Sequence, residues 1–272
     1  MIKFSIVTIS YNQASFLRDC IESVLSQNYK HFEYIVVDPG SVDGSRDIID
    51  SYGGRIEKIY DKDCGPADGL RKGFEKATGD VFLYLNSDDM LEPDALNVFL
   101  KYLEEIDVLT VSAIIHGACK IINSCGIVDR VVYSDIFTLG ASAYNSAVVI
   151  QPSSCFTKVA YEHSPGFNVR NRTNWDDELL VDMVMSGAKT YRINDVISSY
   201  RLHSDGITGS GGMASEHKKY NLKKFEKIKG RSWTLYDWLI LVAYRLKKHL
   251  CNHRQLIDRI VKGPVFGASY EK

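Results

Sequence analysis

The chain has 272 residues, 45% of them hydrophobic, which is enough to bury an extended core and excludes disorder as the main state. Its 33 Lys and Arg against 34 Asp and Glu leave a formal charge of −1, which excludes a uniformly basic nucleic-acid binder. No run approaches the roughly 20 apolar residues of a spanning helix. The first ten residues carry no apolar h-region with a cleavage site, so a cytoplasmic location is expected.

In chain order, Phe4–Thr8 and Tyr34–Asp38 are short β-branched runs of the kind that become buried strands. Between them Leu17, Cys20, Ile21, Val24 and Leu25 recur at helical spacing, with Asn12 and Ser15 available as caps. The rhythm continues with a helix over Gly44–Tyr52, a strand at Ile56–Tyr60, a helix over Ala67–Ala77, a strand at Val81–Leu85 and a helix starting near Pro93. Strand and helix alternating in this way predict an α/β fold with a mostly parallel, Rossmann-like sheet flanked by helices. The segment 107–150 is apolar and β-branched but less clearly patterned. Further on, Trp175–Ser186 reads as a helix, Ala188–Ile193 and Val196–Leu202 as two strands, and Ser204–Gly212 as a mobile glycine-rich loop. The cysteines (Cys20, Cys64, Cys119, Cys125, Cys155, Cys251) form no C-x-x-C pair and mostly sit in apolar runs, so they read as reduced structural thiols.

Ligands of a parallel sheet bind beyond the carboxyl ends of its strands. Those ends read Ser10-Tyr11-Asn12, Asp38-Pro39-Gly40-Ser41, Asp61-Lys62-Asp63-Cys64-Gly65 and Asn86-Ser87-Asp88-Asp89. Three of the four are acidic, which suits a metal-dependent site better than a bare phosphate cradle. Neither a P-loop nor a dinucleotide-binding glycine motif is present.

Val7-Thr8-Ile9-Ser10-Tyr11-Asn12, Asp38-Pro39-Gly40-Ser41-Val42-Asp43-Gly44-Ser45, Asp63-Cys64-Gly65-Pro66-Ala67-Asp68 and Asn86-Ser87-Asp88-Asp89 with Pro93 stand in this order. Together they resemble family 2 glycosyltransferases of the GT-A fold, of the type that assembles bacterial polysaccharides. The resemblance covers roughly residues 3 to 205. It implies a metal-dependent, inverting transfer of a sugar from a nucleotide-sugar donor, with UDP as the expected nucleotide, to a hydroxyl of a glycan or lipid-linked acceptor.

By the same resemblance Asp38 accepts a hydrogen bond from the uracil ring, against an alternative as a cap on the amides of the Gly40–Gly44 turn. Tyr11 and the Ile9 backbone flank the base, although the family usually has Pro in place of Ile9 and a core tyrosine is an equal reading for Tyr11. Asp63 and Asp68 border the nucleotide sugar and Arg71 meets the diphosphate, with helix-start capping as the alternative for the two acids and a solvated face as the alternative for Arg71. Asn86-Ser87-Asp88-Asp89 takes the place of the D-x-D motif. The Asn in its first position leaves Asp88 to hold Mn2+ or Mg2+, with Asp89 on the sugar or ribose. His203, in an R-x-H element with Arg201, completes the metal shell.

Asp176 aligns with the general base, with Asp177 and Glu178 as the competing choices. Trp175 reads equally as a sugar platform or a core residue, and Gln151-Pro152-Ser153-Ser154 falls in the acceptor pocket. A nucleotidyltransferase and a non-catalytic nucleotide-sugar-binding protein are the alternative functions. The first would need a glycine- and base-rich loop that Ser10–Phe16 lacks.

The near-zero charge is a balance of two unlike segments. Residues 1–212 hold 19 Lys and Arg against 29 Asp and Glu, and residues 213–272 hold 14 against 5. The expected organisation is therefore a GT-A catalytic domain over 1–212, with a nucleotide-sugar half at 1–100 and an acceptor half at 101–212, followed by a basic helical extension over 213–272. For that extension three placements stay open: peripheral contact with the inner face of the cell membrane, docking on the catalytic domain, or a homodimer.

Overall fold

The computed structural model describes residues 1–203, 214–263 and 265. The glycine-rich loop expected at Ser204–Gly212 and the expected domain boundary at 212/213 lie outside the described residues.

The N-terminal half follows the sequence closely. Strand β1 (Phe4–Ile9) leads to helix α1 (Ala14–Leu25), β2 (Phe32–Val37), α2 (Ser45–Asp50), β3 (Glu57–Ile59), α3 (Pro66–Lys76) and β4 (Val81–Asn86). The four strands run parallel in the order β3-β2-β1-β4. Because successive side chains of a strand point to opposite faces, β1 divides its apolar residues between two cores. Phe4 and Ile6 face α1 and α4 (Ala95–Leu103), while Val7 faces α3 on the other side. Helix α3 lies close because Gly73 carries no side chain: a Cβ there would stand 2.4 Å from a Val7 methyl.

The second half turns the sheet antiparallel. Short β5 (Met90–Leu91), which the sequence does not announce, pairs with β9 (Lys189–Arg201). Strand β6 (Ala113–Ile122) pairs antiparallel with β7 (Val128–Tyr133) and with β8 (Ser154–Thr157), which also joins β4. The only parallel ladder of this half, among the described residues, is β6 with β9. The two strands expected at Ala188–Ile193 and Val196–Leu202 are thus one strand. The break in pattern between them is a register shift, where Arg192 pairs with His116 and Val196 already pairs with Ala118. Helices α5 (Leu139–Ala143), α6 (Lys158–Glu162) and α7 (Trp175–Met185) cover this half.

The basic C-terminal segment forms α8 (Ala214–Lys229), α9 (Tyr236–Cys251) and α10 (His253–Lys262). It is docked on the body. Phe225 and Tyr244 pack around the buried Tyr144, and Arg130 of β7 donates to the Asp258 carboxylate and to the carbonyls of Lys262 and Gly263.

Two local expectations need correction. Neither Asn12 nor Ser15 caps α1. The N–H groups of Gln13 and Ala14 at its start donate instead to Ser45 Oγ, at the first residue of α2, and to Asp43 Oδ2 of the loop after β2, which ties the two strand-end loops together. All six cysteines are free, as expected, but Cys64, Cys125 and Cys251 are exposed and do not serve as core hydrophobes.

Candidate active site

The ends of β1, β2 and β4 are neighbours, since Ile9 pairs with both Val37 and Asn86. Their loops therefore open on one edge, and Asp38, Asp88 and Asp89 gather there. Asp38 is fully buried. Its Oδ1 accepts from the Gly40 and Ser41 amides and from Arg46 Nε at 3.1 Å, as the capping alternative foresaw. Its Oδ2, equally buried, has no partner. A carboxylate oxygen left without a donor at a strand end is an acceptor awaiting one. Tyr11 stands beside this loop 61% exposed, which rules out the core-tyrosine reading. Ile9 closes the strand edge, and its side chain lies against Gly69, where a Cβ would meet Ile9 at 3.2 Å and Asp63 Oδ2 at 2.9 Å.

Asp63 accepts the Gly65 amide, and burial raises its pKa above the ordinary carboxylate value. Asp68 accepts from the Cys64 amide and from both Nε and Nη2 of Arg71. Burial alone would raise the Asp68 pKa, but the Arg71 hydrogen bonds, the Cys64 amide and the Lys72 charge together outweigh it and hold that carboxyl low. Arg71 is further paired with Glu75, so its guanidinium is occupied by the acids of its own helix.

At the end of β4, His203 Nε2 lies 3.0 Å from Asp88 Oδ2, with the His203 ring 4.6 Å from Phe16. His203 Nδ1 is buried without a partner, as is Asp89 Oδ2. Asp89 Oδ1 accepts the Arg201 amide, and burial together with the adjoining Asp88 charge drives its carboxyl well above the usual range. Among the described residues no three His, Cys, Asp or Glu side chains converge on one point. One carboxylate oxygen and one imidazole nitrogen side by side nevertheless fit a divalent cation that takes its remaining ligands from phosphate oxygens and water.

Arg201 was not singled out from sequence, although it begins the Arg201-Leu202-His203 triplet. Its buried guanidinium donates to the Asp88 carbonyl at 2.9 Å, the Ser124 carbonyl at 3.0 Å and Asp19 at 3.2 Å. It thereby fastens the Asp88-Asp89 turn to β9.

Asp176 occupies the first turn of α7, where the helix dipole favours negative charge. Of the three adjacent acids, Glu178 accepts from Asn168 and Asn171, and Asp177 accepts from the buried Lys224 at 2.7 Å. Asp176 faces a cavity of about 450 Å3 that also touches Asn86, Gln151, Pro152 and Trp175. Burial, and then the neighbouring Asp177 charge, raise the Asp176 pKa to about 6. Trp175 is 8% exposed and packs on Tyr84 and Phe167, so it belongs to the core even though its edge lines the cavity. Gln151 donates to the Tyr84 carbonyl and lies near Asn86, joining the second half to the end of β4. Lys224 and Tyr220, both from α8, surround Asp177. Their role is invisible in sequence because 47 residues separate Lys224 from its partner.

A sequence profile described as Glycosyl transferase family 2 matches residues 5–154. The putative teichuronic acid biosynthesis glycosyltransferase TuaG of Bacillus subtilis (strain 168) is 26% identical over 230 residues, covering 82% of this chain and 88% of that protein. Among solved structures, S. aureus TarS 1-349 in complex with UDP-GlcNAc superposes with a TM-score of 0.69 at 16% identity, over 97% of this chain and 77% of the other. The mannosyltransferase PcManGT from Pyrobaculum calidifontis, in complex with GDP-Man and Mn2+, gives 0.61 at 17% identity, over 96% and 76%. These two likenesses establish the GT-A architecture.

Proposed function

The chain belongs to glycosyl transferase family 2, and from that premise we propose that it is a metal-dependent, inverting glycosyltransferase using a UDP-sugar and a glycan or lipid-linked acceptor. The observation that carries this reading is Asp176: a carboxylate raised to about 6, lining a cavity shared with Asn86 of the Asn86-Ser87-Asp88-Asp89 turn. A general base works best with a pKa near the operating pH, and the other two acids in the first turn of α7 are occupied.

In this mechanism residues 1–100 hold the donor. The unpartnered Asp38 Oδ2 accepts the uracil N–H, and Tyr11 and the Ile9 backbone lie along the base. Asp63 and Asp68 border the sugar diphosphate, with Arg71 able to reach it by exchanging an ion pair. Asp88 and His203 would hold Mn2+ or Mg2+, and Asp89 would support the sugar or ribose. A cation held there would neutralise the charge that develops on the departing diphosphate.

Asp176 takes the proton of the acceptor hydroxyl as its oxygen attacks the anomeric carbon. The bond from that carbon to the phosphate oxygen breaks on the opposite face, UDP leaves with the electron pair, and the configuration inverts. The likeness to TuaG supports a place in cell-envelope polysaccharide assembly. The test is UDP release from a panel of UDP-sugars with and without Mn2+. Donor-dependent release that Asp176→Asn abolishes supports the reading. Binding without release would favour a non-catalytic nucleotide-sugar-binding protein, and absence of donor binding by calorimetry would sink both.

A further inference from the structure

Helix α9 has two opposed faces. Asp237, Leu241, Tyr244 and Lys248, at helical spacing, meet the body: the Asp237 carboxylate accepts from Tyr144 and Arg231, and Lys248 pairs with Asp135 at 2.8 Å. Half a turn away run Leu235, Leu239, Leu246 and Leu250, between 60% and 93% exposed. Helix α10 repeats the arrangement. Gln255 and Asp258 bond to β7, while Ile257, Ile260 and Val261, all more than half exposed, turn away from it. Two consecutive helices thus present apolar stripes to solvent on the side opposite their docking contacts, which marks an interaction surface rather than scattered exposure.

The charges around the stripes select the partner. Exposed Arg245, Lys247 and Arg254 flank them with no ion pair among the described residues. The two acids of these helices are both consumed, Asp237 by Arg231 of the α8–α9 connection and Asp258 by Arg130 of β7. A two-fold contact between copies would set these cations against themselves. A surface of anionic headgroups would complement them. Among the described residues no helix is long and apolar enough to cross a membrane, so the contact lies in the plane of the surface.

The other side of the same helices supplies Lys248, His249, Leu256 and Arg259 to the 450 Å3 cavity that reaches Asn86 and Asp176. We propose that α9 and α10 lay their apolar faces on a bilayer bearing anionic headgroups, so that the cavity opens beside the membrane toward an acceptor anchored in it. The acceptor half of this proposal rests on the glycosyl-transfer reading; the lipid contact stands independently of it.

The test is co-sedimentation of the full chain with vesicles of phosphatidylcholine alone or with phosphatidylglycerol added. Binding to the anionic vesicles is expected to fall about tenfold or more in Leu239→Glu/Leu246→Glu, whose positions are exposed and outside the cavity. It is expected to weaken in Arg245→Glu/Lys247→Glu, and both variants should retain the wild-type circular dichroism and melting temperature. Equal binding of wild type and Leu239→Glu/Leu246→Glu overturns the proposal. So does a dimer in light scattering that this variant dissolves while no vesicle binding is seen, which would assign the stripes to a second copy. Calorimetry with UDP on the same proteins separates the two readings: vesicle binding without UDP binding preserves the lipid contact and removes the acceptor argument.

Discussion

The two halves of the molecule hold their carboxylates by different means. Asp38 is fixed by amides two and three residues ahead and by Arg46 eight residues on, so its geometry is written within one loop. Asp176 sits among groups brought from afar: Asn86 and Gln151 across the cavity, and Lys224 and Tyr220 of α8 around its neighbour Asp177. The first half, proposed as the donor side, is a set of local turns on a parallel sheet. The second half, proposed as the acceptor side, is assembled by tertiary packing, so distant substitutions should tune it.

The largest effect expected lies on the acceptor side. Asp176→Asn should lower kcat by about 10²–10⁴-fold while leaving donor affinity unchanged in calorimetry. It should also alter stability in a pH-dependent way. Because the folded-state pKa of about 6 exceeds the ordinary 3.8, the native state binds this proton more tightly than the unfolded chain does. The stabilisation contributed by the protonated group is complete below 3.8 and is lost as pH rises through about 6. The Asn variant should therefore melt higher than wild type at pH 8, and the difference should vanish near pH 4. A melting difference that is the same at both pH values would break the contrast between Asp176, whose carboxyl is raised among groups from distant elements, and Asp38, held by the amides of its own loop.

Next in size is Asp88→Ala, which should abolish metal-dependent donor binding and reduce turnover by about 10²-fold or more. Unchanged Mn2+ dependence of UDP binding would remove Asp88 from the metal. Arg201→Met tests the seam between the halves. It strips the Asp88, Ser124 and Asp19 contacts at once and should cost about 3 kcal/mol in urea unfolding, with weaker donor binding. A variant as stable as wild type would mean that the Asp88-Asp89 turn needs no fastening to β9.

How much of this was legible follows the same division. The β1–β4 region was readable because its strands are continuous apolar runs and its helices carry a clear stripe, such as Leu17, Cys20, Ile21 and Val24. Its acids were readable because they stand at strand ends. The second half was not. β5 has two residues and draws its stability from β9, and β9 itself reads as two strands because a register shift interrupts its alternation. Arg201 looks like any strand-end arginine until the chain closes a span of more than a hundred residues between β4 and β9. The C-terminal segment announced its charge and its apolar residues, but only the packed structure shows which side of α9 is docked and which is free.

The smallest effect is the most specific to that long-range assembly. Asp177 raises the Asp176 pKa and Lys224 lowers it, and the two are themselves paired at 2.7 Å. Removing Lys224 as Lys224→Met leaves the Asp177 charge uncompensated beside Asp176, so the acidic limb of kcat/KM, expected at about 6, should move to higher pH. Asp177→Asn removes the repelling charge and leaves the cation, so the limb should move to lower pH. Each shift should be a fraction of a pH unit, because the charges act through a partly solvated surface. The double variant should return the limb close to its wild-type position, since both opposing influences are gone. A purely structural role for the pair predicts lower kcat at every pH with the limb unmoved, and that result would sever α8 from the chemistry. Opposite shifts cancelling in the double variant would instead show that a helix forty residues beyond the base sets the pH at which it works.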